Sequence, residues 1–135
     1  MIRWMEQLAS GLPPIVFGDG LQTMDMINVK DVASANVLAA VSQASDVVLN
    51  VGSGTETSLL EVARLLAEAM GRANVATVHE AERAVNPVPR RLADISAARQ
   101  LIGFEPVVPL KSGIAELVEW WMLERASASA SQAAE

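Results

Sequence analysis

One continuous apolar run and the segment after it constrain the fold of this chain more than any other feature. Residues Val47–Val51 form an apolar stretch of strand length, which is typical of a strand covered on both faces in a parallel sheet. A Gly52-Ser-Gly54 turn follows, and Ser58 with Glu61 has the spacing of a capping box. The apolar positions after it predict a helix that ends at Gly71. A strand, a turn and a helix in this order predict the α/β class.

The other segments alternate in the same way and predict a single domain over residues 1–125. We expect helices at 1–10, 31–42, 94–103 and 112–125, and strands at 15–17, 24–29 and 75–79. Asp31 and Asp94 are the expected N-caps of their helices. Because the helix after Asp31 is rich in Ala and Val, it should be buried on more than one side. Residues 80–91 are predicted to form a loop, and the Ala/Ser-rich residues 126–135 a frayed tail.

The residues that the chain lacks exclude several kinds of catalytic chemistry. Among its 135 residues there is no Cys, no Tyr and a single His, His79. Without Cys there is no disulfide framework, no thiolate nucleophile and no Cys-based zinc site. One His cannot supply the several ligands of a histidine zinc site, so we expect no metal. A mechanism that needs a tyrosine acid or base is excluded outright.

The charge and hydropathy of the chain bear on its partners and its location. Ten Lys and Arg against sixteen Asp and Glu give a net charge of −6, which argues against binding to nucleic acid or anionic lipid. No apolar run reaches the roughly 18 residues of a membrane span, and the N-terminus has no signal-peptide pattern. We therefore expect a cytoplasmic chain with neither a nucleic-acid nor a membrane partner.

Two local patterns suggest a site, and each has a plainer interpretation. Gly52-x-Gly54 between a strand and a helix resembles a phosphate-binding turn. The third glycine of the dinucleotide fingerprint is Thr57 here, which favours an ordinary strand-to-helix turn. His79 beside two glutamates has no spacing typical of a hydrolase, so a surface histidine is the favoured interpretation.

The cluster of Arg83, Arg90 and Arg91 differs in kind from these patterns. In an otherwise acidic chain, guanidinium groups around the Asn86-Pro-Val-Pro segment make a positive patch, and arginine suits bidentate recognition of phosphate. The alternative is a loop whose arginines pair with nearby carboxylates, such as Asp94. The spacing alone leaves both interpretations open.

Several longer motifs occur in unbroken order over about residues 2–123. They are Val16-Phe-Gly-Asp-Gly-Leu-Gln-Thr-Met-Asp25, Leu49-Asn-Val-Gly-Ser-Gly54, Asn86-Pro-Val-Pro-Arg-Arg-Leu-Ala-Asp94, Leu101-Ile-Gly-Phe104, Leu110-x-x-Gly113 and Trp120-Trp121. Together they resemble the C-terminal part of an NAD-dependent epimerase/dehydratase, that is, of an extended short-chain dehydrogenase/reductase related to the nucleotide-sugar epimerases. The expected fold is the α/β C-terminal substrate-binding portion of that family, without the N-terminal Rossmann half.

The resemblance implies a partial site for a UDP- or dTDP-sugar. Its candidate residues are Phe17, Gln22, Met24, Leu59, Arg83, Asn86 and Arg90. Phe17 and Leu59 would lie against the base, and Gln22 and Met24 would approach the diphosphate. Many members of the family carry Arg at the position of Met24, so one phosphate contact differs here.

The resemblance places the remaining candidates in the arginine-containing segment. Arg83 would grip the diphosphate, and Arg90 is the alternative for that role because the alignment of this segment needs a one-residue adjustment. Asn86 stands where the family often has an Asp for the ribose hydroxyls.

Two features of the family are absent from this chain, namely the Gly-rich NAD(P) fingerprint and the Tyr-x-x-x-Lys catalytic pair. NAD would bind the absent half, so we expect no cofactor and no catalytic residue in this chain. The chain is then interpreted as a fragment or remnant of a nucleotide-sugar epimerase/dehydratase, such as a UDP-glucose 4-epimerase, that is inactive alone. The alternative is a free-standing oligomeric binding or assembly module.

The absent half also bears on assembly. In the family, the segment Asp31–Val51 packs against the Rossmann domain, so this chain would expose an apolar strand edge and a helix face. Such edges pair readily with another chain. We therefore expect a homo-oligomer, most simply a two-fold dimer, or a complex with a separate N-terminal half.

Overall fold

Helices and short strands alternate along residues 1–82 and 88–132, which the computed structural model describes, with the backbone alone for 129–132. The helices are α1 (Ile2–Ala9), α2 (Val29–Val41), α3 (Leu59–Ala69), α4 (Ser96–Ile102) and α5 (Leu110–Gln132). The strands are β1 (Ile15–Phe17), β2 (Thr23–Asp25), β3 (Glu56–Ser58), β4 (Val78–Glu80) and β5 (Arg90–Arg91). This order confirms the predicted α/β class.

The strands belong to two small sheets. β1 pairs with β4 in parallel, with Ile15 opposite Val78. In the second sheet, β2 lies between β3 and β5. Met24 is opposite Thr57 of the antiparallel β3 and opposite Arg91 of the parallel β5. The segment that joins β1 to β2 therefore connects the two sheets.

Gly20 makes this connection possible. Its φ of 73° lies in the left-handed region, and a β-carbon there would come within 2.8 Å of the Val16 and Leu60 side chains. The connection is tied to the start of α3, because Leu60 N donates to Gly20 O at 3.2 Å and Leu59 N donates to Gln22 O at 3.1 Å. The residues after β1 are thus held in a fixed position against α3.

The larger core lies between α1, α3 and α5. Its buried side chains are Met5, Leu8, Val62, Leu65, Leu66, Ala67, Ile114, Val118 and Trp121. The helical spacing of the apolar positions brings them to one face of each helix. Trp121 is 7% exposed and Trp120 is 52% exposed, so the prediction that Trp121 is core and Trp120 lies at a boundary is confirmed.

The smaller core lies between α2 and α4 and is covered on one side only. Ala35, Ala98, Ile102 and Phe104 are its buried members, and Ile27, Leu38, Ala44, Leu49 and Val51 pack at its margin. The prediction that α2 is buried on more than one side is wrong for the described chain. Val37 is 64% exposed and Val41 73%, because no described element packs against the outer face of α2.

The predicted strand Val47–Val51 is also not formed. Within residues 1–82 and 88–132, its main chain makes no hydrogen bond to another main-chain group. Leu49 and Val51 pack against the smaller core, whereas Val48 is 96% exposed. The apolar pattern needs a neighbouring strand to become a sheet strand, and no described strand lies beside it.

The N-cap predicted at Asp31 is wrong. Asn28 caps α2 instead, and its side-chain oxygen accepts a hydrogen bond from Lys30 N at 2.8 Å. Asp31 is buried in the first turn, where its carboxylate accepts from Val107 N at 3.1 Å and Val108 N at 3.2 Å. The residue therefore joins α2 to the segment before α5.

The N-cap predictions for α3 and α4 agree more closely with the structure. Ser58 Oγ accepts from Glu61 N at 3.1 Å, which confirms Ser58 as the N-cap of α3. The N-cap of α4 is Ile95, one residue after the predicted Asp94, but Asp94 Oδ1 still accepts from Ser96 N at 2.9 Å. At both helix starts a side-chain oxygen thus accepts from a main-chain N–H that has no partner within the helix.

The ends of several elements differ from the prediction. β2 ends at Asp25 rather than Val29, because the N-cap of α2 already lies at Asn28, and β4 begins at Val78 rather than at residue 75. β5 lies in the predicted loop 80–91. α5 continues to Gln132, beyond the predicted end at 125, while the division into a domain and a tail stays a prediction. In the described ranges, no helix has the length and apolarity needed to cross a bilayer.

Candidate functional site

A cleft of about 940 Å³ opens beside β1, between α1 and the residues around β4 and β5. Three predicted site residues, Phe17, Gln22 and Leu59, line it together. The other described lining residues are Arg3, Trp4, Gln7, Ile15, Gly18, Asp19, Leu21, Glu82, Val88 and Pro89. The cleft therefore gathers residues from four separate parts of the chain.

α1 forms one wall of the cleft, and hydrogen bonds fix it to the first residue of β1. The indole Nε1 of Trp4 donates to Ile15 O at 2.7 Å, and Ile15 N donates to Gln7 Oε1 at 3.5 Å. These bonds use the main-chain groups of Ile15 that β4, on the other side, does not take. Nothing in the local sequence marks Arg3, Trp4 or Gln7 as part of a site, since α1 reaches β1 only through tertiary contacts.

The opposite end of β1 is held by side-chain amide and imidazole groups. Gln22 Nε2 donates to Phe17 O at 3.1 Å, which places the amide at the carboxyl end of the strand. His79 Nδ1 lies 2.8 Å from Gly18 O, and because a carbonyl can only accept, Nδ1 is the nitrogen that donates. His79 thus anchors the main chain from an exposed position, as the surface interpretation predicts.

The ionisable side chains among the described lining residues are Arg3, Asp19 and Glu82. Asp19 accepts a hydrogen bond from Leu21 N at 2.9 Å, and Glu82 packs beside Gly18, so both carboxylates lie near the carboxyl end of β1. Arg3 lies on α1, which contacts the other end of the strand. Within the described residues, no group of three His, Asp or Glu side chains is placed to hold a metal ion.

The structure does not bring Met24 and Arg90 into this cleft. Met24 lines a second, smaller cavity of about 310 Å³ on the other sheet, together with Arg91. Arg90 forms an ion pair with Glu56, which also accepts from Thr23 Oγ1 at 2.8 Å. The hydrogen bond from Arg90, and after it the one from Thr23, holds the pKa of Glu56 below its ordinary value, and the bond to Glu56 raises the pKa of Arg90. For Arg90, the structure favours the interpretation as a carboxylate-paired arginine.

Two further candidates, Arg83 and Asn86, lie outside the described residues. Their roles at the diphosphate and the ribose therefore stay predictions, as do the nucleotide contacts of the other five candidates. The described residues on either side, Glu82 and Val88, both line the cleft.

The Gly52-x-Gly54 turn binds a carboxylate of the protein itself. Asp25 accepts hydrogen bonds from Ser53 N at 2.6 Å, Ser53 Oγ at 2.7 Å, Gly54 N at 3.0 Å and Ala93 N at 3.3 Å. A β-carbon at Gly52 would lie 2.6 Å from Asp25 Oδ2. Partial burial alone would raise the pKa of Asp25, but these hydrogen bonds outweigh it and hold the pKa below its ordinary value. Ser53 N and Gly54 N are therefore already bonded within the protein, which favours a structural turn over a phosphate-binding one, although the turn leads into β3 and not directly into a helix.

In sequence, the chain is similar to known epimerases along most of its length. The model of the NAD dependent epimerase/dehydratase family matches residues 1–52. A putative UDP-glucose 4-epimerase of Methanocaldococcus jannaschii is 34% identical over 117 residues, which are 87% of this chain and 37% of that protein. The UDP-glucose 4-epimerase of Mycolicibacterium smegmatis is 34% identical over 116 residues, 86% of this chain and 36% of that protein.

The chain is similar to the C-terminal part of the NAD-dependent epimerase/dehydratase proteins. Solved epimerase structures share its fold. The UDP-glucose 4-epimerase of Thermotoga maritima, crystallised with UDP-glucose, has a TM-score of 0.81 and 30% identity over 90% of this chain and 38% of its own. An epimerase of Methanothermobacter thermautotrophicus has a TM-score of 0.83 and 28% identity over 93% of this chain and 38% of its own.

The epimerase relatives are much longer than this chain, which spans about 37% of the curated relatives it matches. The matching portion is the C-terminal one, which confirms the predicted relation to the C-terminal part of extended short-chain dehydrogenases/reductases. The cleft beside β1 therefore lies in a fold that the epimerases share.

Proposed function

We propose that this chain provides the nucleotide end of a nucleotide-sugar site in an epimerase/dehydratase-type protein. The observation that carries the proposal is the convergence of Phe17, Gln22 and Leu59 on one cleft. The proposed ligand is a UDP- or dTDP-sugar. Two structural relatives support it, since one was crystallised with UDP-glucose and another, from Methanobrevibacter ruminantium, is in complex with UDP-N-acetylmuramic acid.

In this proposal, the described side chains contact different parts of the ligand. Phe17 and Leu59 offer apolar contact to the planar base, which aromatic rings stack on favourably. Gln22 has one amide hydrogen on Phe17 O, so its head group is held in place for the ribose–diphosphate part. The acidic Asp19 and Glu82 can accept hydrogen bonds from sugar hydroxyls.

The chain's own residues do not fit NAD. The donors of its Gly-x-Gly turn at 52–54 are bound to Asp25, and a Tyr-x-x-x-Lys pair is impossible without Tyr. In this proposal the nicotinamide cofactor and the proton acceptor belong to the part of the family that this chain does not span. The chain then binds and orients the substrate but does not transfer the hydride by itself.

Calorimetric titration of the chain with UDP-glucose tests the proposal. We expect saturable binding that Phe17→Ala weakens about tenfold, because base stacking on an aromatic ring contributes roughly 1–3 kcal/mol. Leu123→Ala, an exposed apolar position on α5, is the matched control and should bind normally. Lack of saturation at millimolar ligand, or an equal loss in the control, contradicts the proposal.

A second candidate function, that of an assembly module, is favoured by the α2 face. We use this name for the exposed valines Val29, Val37, Val41, Val47 and Val48. The exposed charge on α2, Lys30, is paired with Glu116 of α5, and the valines are the apolar part of the face. The unpaired main chain of residues 47–51 can pair antiparallel with the same segment of another molecule across a two-fold axis. The occupant proposed for this face is a second copy of the chain.

Light scattering at micromolar concentration tests the assembly. We expect a dimer that Val48→Lys converts into a monomer, because the charge would have to be buried at the interface. Leu123→Lys, at a similarly exposed apolar position outside the α2 face, should leave the dimer intact. A well-folded wild-type monomer would refute the second candidate and leave the nucleotide-sugar proposal standing.

A further inference from the structure

The cleft contains a cationic side chain to which the resemblance assigns no role. Arg3 and Gln7 lie one turn apart on α1, so their side chains emerge from the same face of the helix, and both line the cleft. Arg3 forms no ion pair with any residue of the described ranges. The guanidinium of Arg3 has five N–H donors, and no carboxylate of the described residues pairs with it. It thus borders the space for the ligand.

The hydrogen bonds at the two ends of β1 locate Arg3 relative to the ligand. Gln7 and Trp4 of the same helix are bonded to Ile15, whereas Gln22 is bonded to Phe17 O, about 7 Å further along the strand. In the proposed function, on which this inference rests, the base lies against Phe17 and the diphosphate toward Gln22. Arg3 then lies on the side of the base that points away from the diphosphate.

That side of a pyrimidine carries the group at ring position 4. In uracil and thymine the group is a carbonyl oxygen, which accepts hydrogen bonds, and in cytosine it is an amino group, which donates them. We infer that Arg3 is a specificity-determining residue that donates to the position-4 carbonyl of a uracil or thymine nucleotide. Arginine cannot accept a hydrogen bond, so the same contact rejects cytosine.

Titration with UDP and with CDP tests this contact, because the two ligands share ribose and diphosphate and differ only in the position-4 group of the base and in the proton on its neighbour N3. Since Arg3 is exposed and water competes for its donors, we expect the wild-type chain to prefer UDP about fivefold. Arg3→Met keeps an apolar stem without donors and should remove the preference through weaker UDP binding. Arg3→Glu should shift the preference toward CDP, because a carboxylate accepts from the amino group.

Arg72→Met is the matched control, because Arg72 is exposed beyond the end of α3 and does not line the cleft. It should leave both affinities unchanged. A wild-type chain that binds UDP and CDP equally overturns the role of Arg3 but not the proposed function. So does an Arg3→Met variant that loses both ligands to the same extent, which would indicate a phosphate contact. Absence of binding to either nucleotide overturns the proposed function and this inference together.

Discussion

The chain has two apolar cores, one between α1, α3 and α5 and one between α2 and α4. They differ in how exposed the helices around them are. Leu66 of the first core lies among helices of the chain on every side and is fully buried. Phe104 of the second is equally buried, yet α2 above it turns Val37 and Val41 to the surface. The first core is closed within the described chain, whereas the outer face of the helix over the second core is exposed in the described chain. Helix α1, which forms one wall of the cleft, contributes Met5 and Leu8 to the first core.

The largest expected effect compares the same truncation in both cores. Leu66→Ala should lower the free energy of unfolding by about 3 kcal/mol, because it leaves a cavity in a closed core. Leu38→Ala, at the margin of the smaller core, should cost about 1 kcal/mol, because that side chain is only partly buried. Urea unfolding of both variants measures the difference, and equal losses would show that the two cores are closed alike.

Asp31 provides the next test, since it joins α2 to the segment before α5. Asp31→Ala removes the acceptor for Val107 N and Val108 N and should cost about 2 kcal/mol. Asp31→Asn keeps one acceptor oxygen and should cost less. Faster hydrogen exchange at the Val107 and Val108 amides is the specific signature. If both variants unfold like the wild type, α2 is held by packing alone.

Loss of the N-cap of α3, a helix of the larger core, should have a smaller effect on stability. Ser58→Ala removes the acceptor for Glu61 N and should lower stability by about 1 kcal/mol. Ser58→Thr retains a hydroxyl and serves as the matched control. Thermal unfolding measures both, and a variant as stable as the wild type would show that packing of α3 makes the cap dispensable.

The parts of the fold that were predictable from the sequence are those decided by neighbouring residues. The cap at Ser58 and the burial of Trp121 depend on spacings within one helix, and both predictions are confirmed. The N-cap at Asp31 failed because Asn28 offers the same chemistry three residues earlier. The strand at Val47–Val51 failed because a strand needs a partner, which the local pattern does not supply.

Only the resemblance proposes Phe17, Gln22 and Leu59 as site residues; the structure brings them to one cleft, and their contact with a nucleotide stays a prediction. Arg3 could not be found in this way, because its place in the cleft depends on how α1 docks on β1. The bond from Asp25 to Ser53 spans 28 residues in sequence and likewise has no local signal. An acidic residue at a strand end, together with a Gly-x-Gly turn elsewhere, is the pattern that could have suggested it.

The smallest expected effect concerns Asp25, whose hydrogen bonds join β2 to the turn between the two cores. Its pKa is held below the ordinary value in the folded state, so the carboxylate stabilises the fold above the unfolded-state pKa of about 4. That contribution is lost as the pH falls through the lower, folded-state pKa. Urea unfolding from about pH 6 down to about pH 3 should therefore show a shallower loss of stability in Asp25→Asn than in the wild type.

The exposed Glu119→Gln on α5 removes the same charge without such hydrogen bonds and is the control for Asp25→Asn. Parallel pH curves for wild type and Asp25→Asn would show that the turn does not depend on the charge. The turn leads from Val51, at the margin of the smaller core, toward α3 in the larger one. Protonation of Asp25 should therefore loosen the smaller core first, because Val51 lies only at the margin of that core.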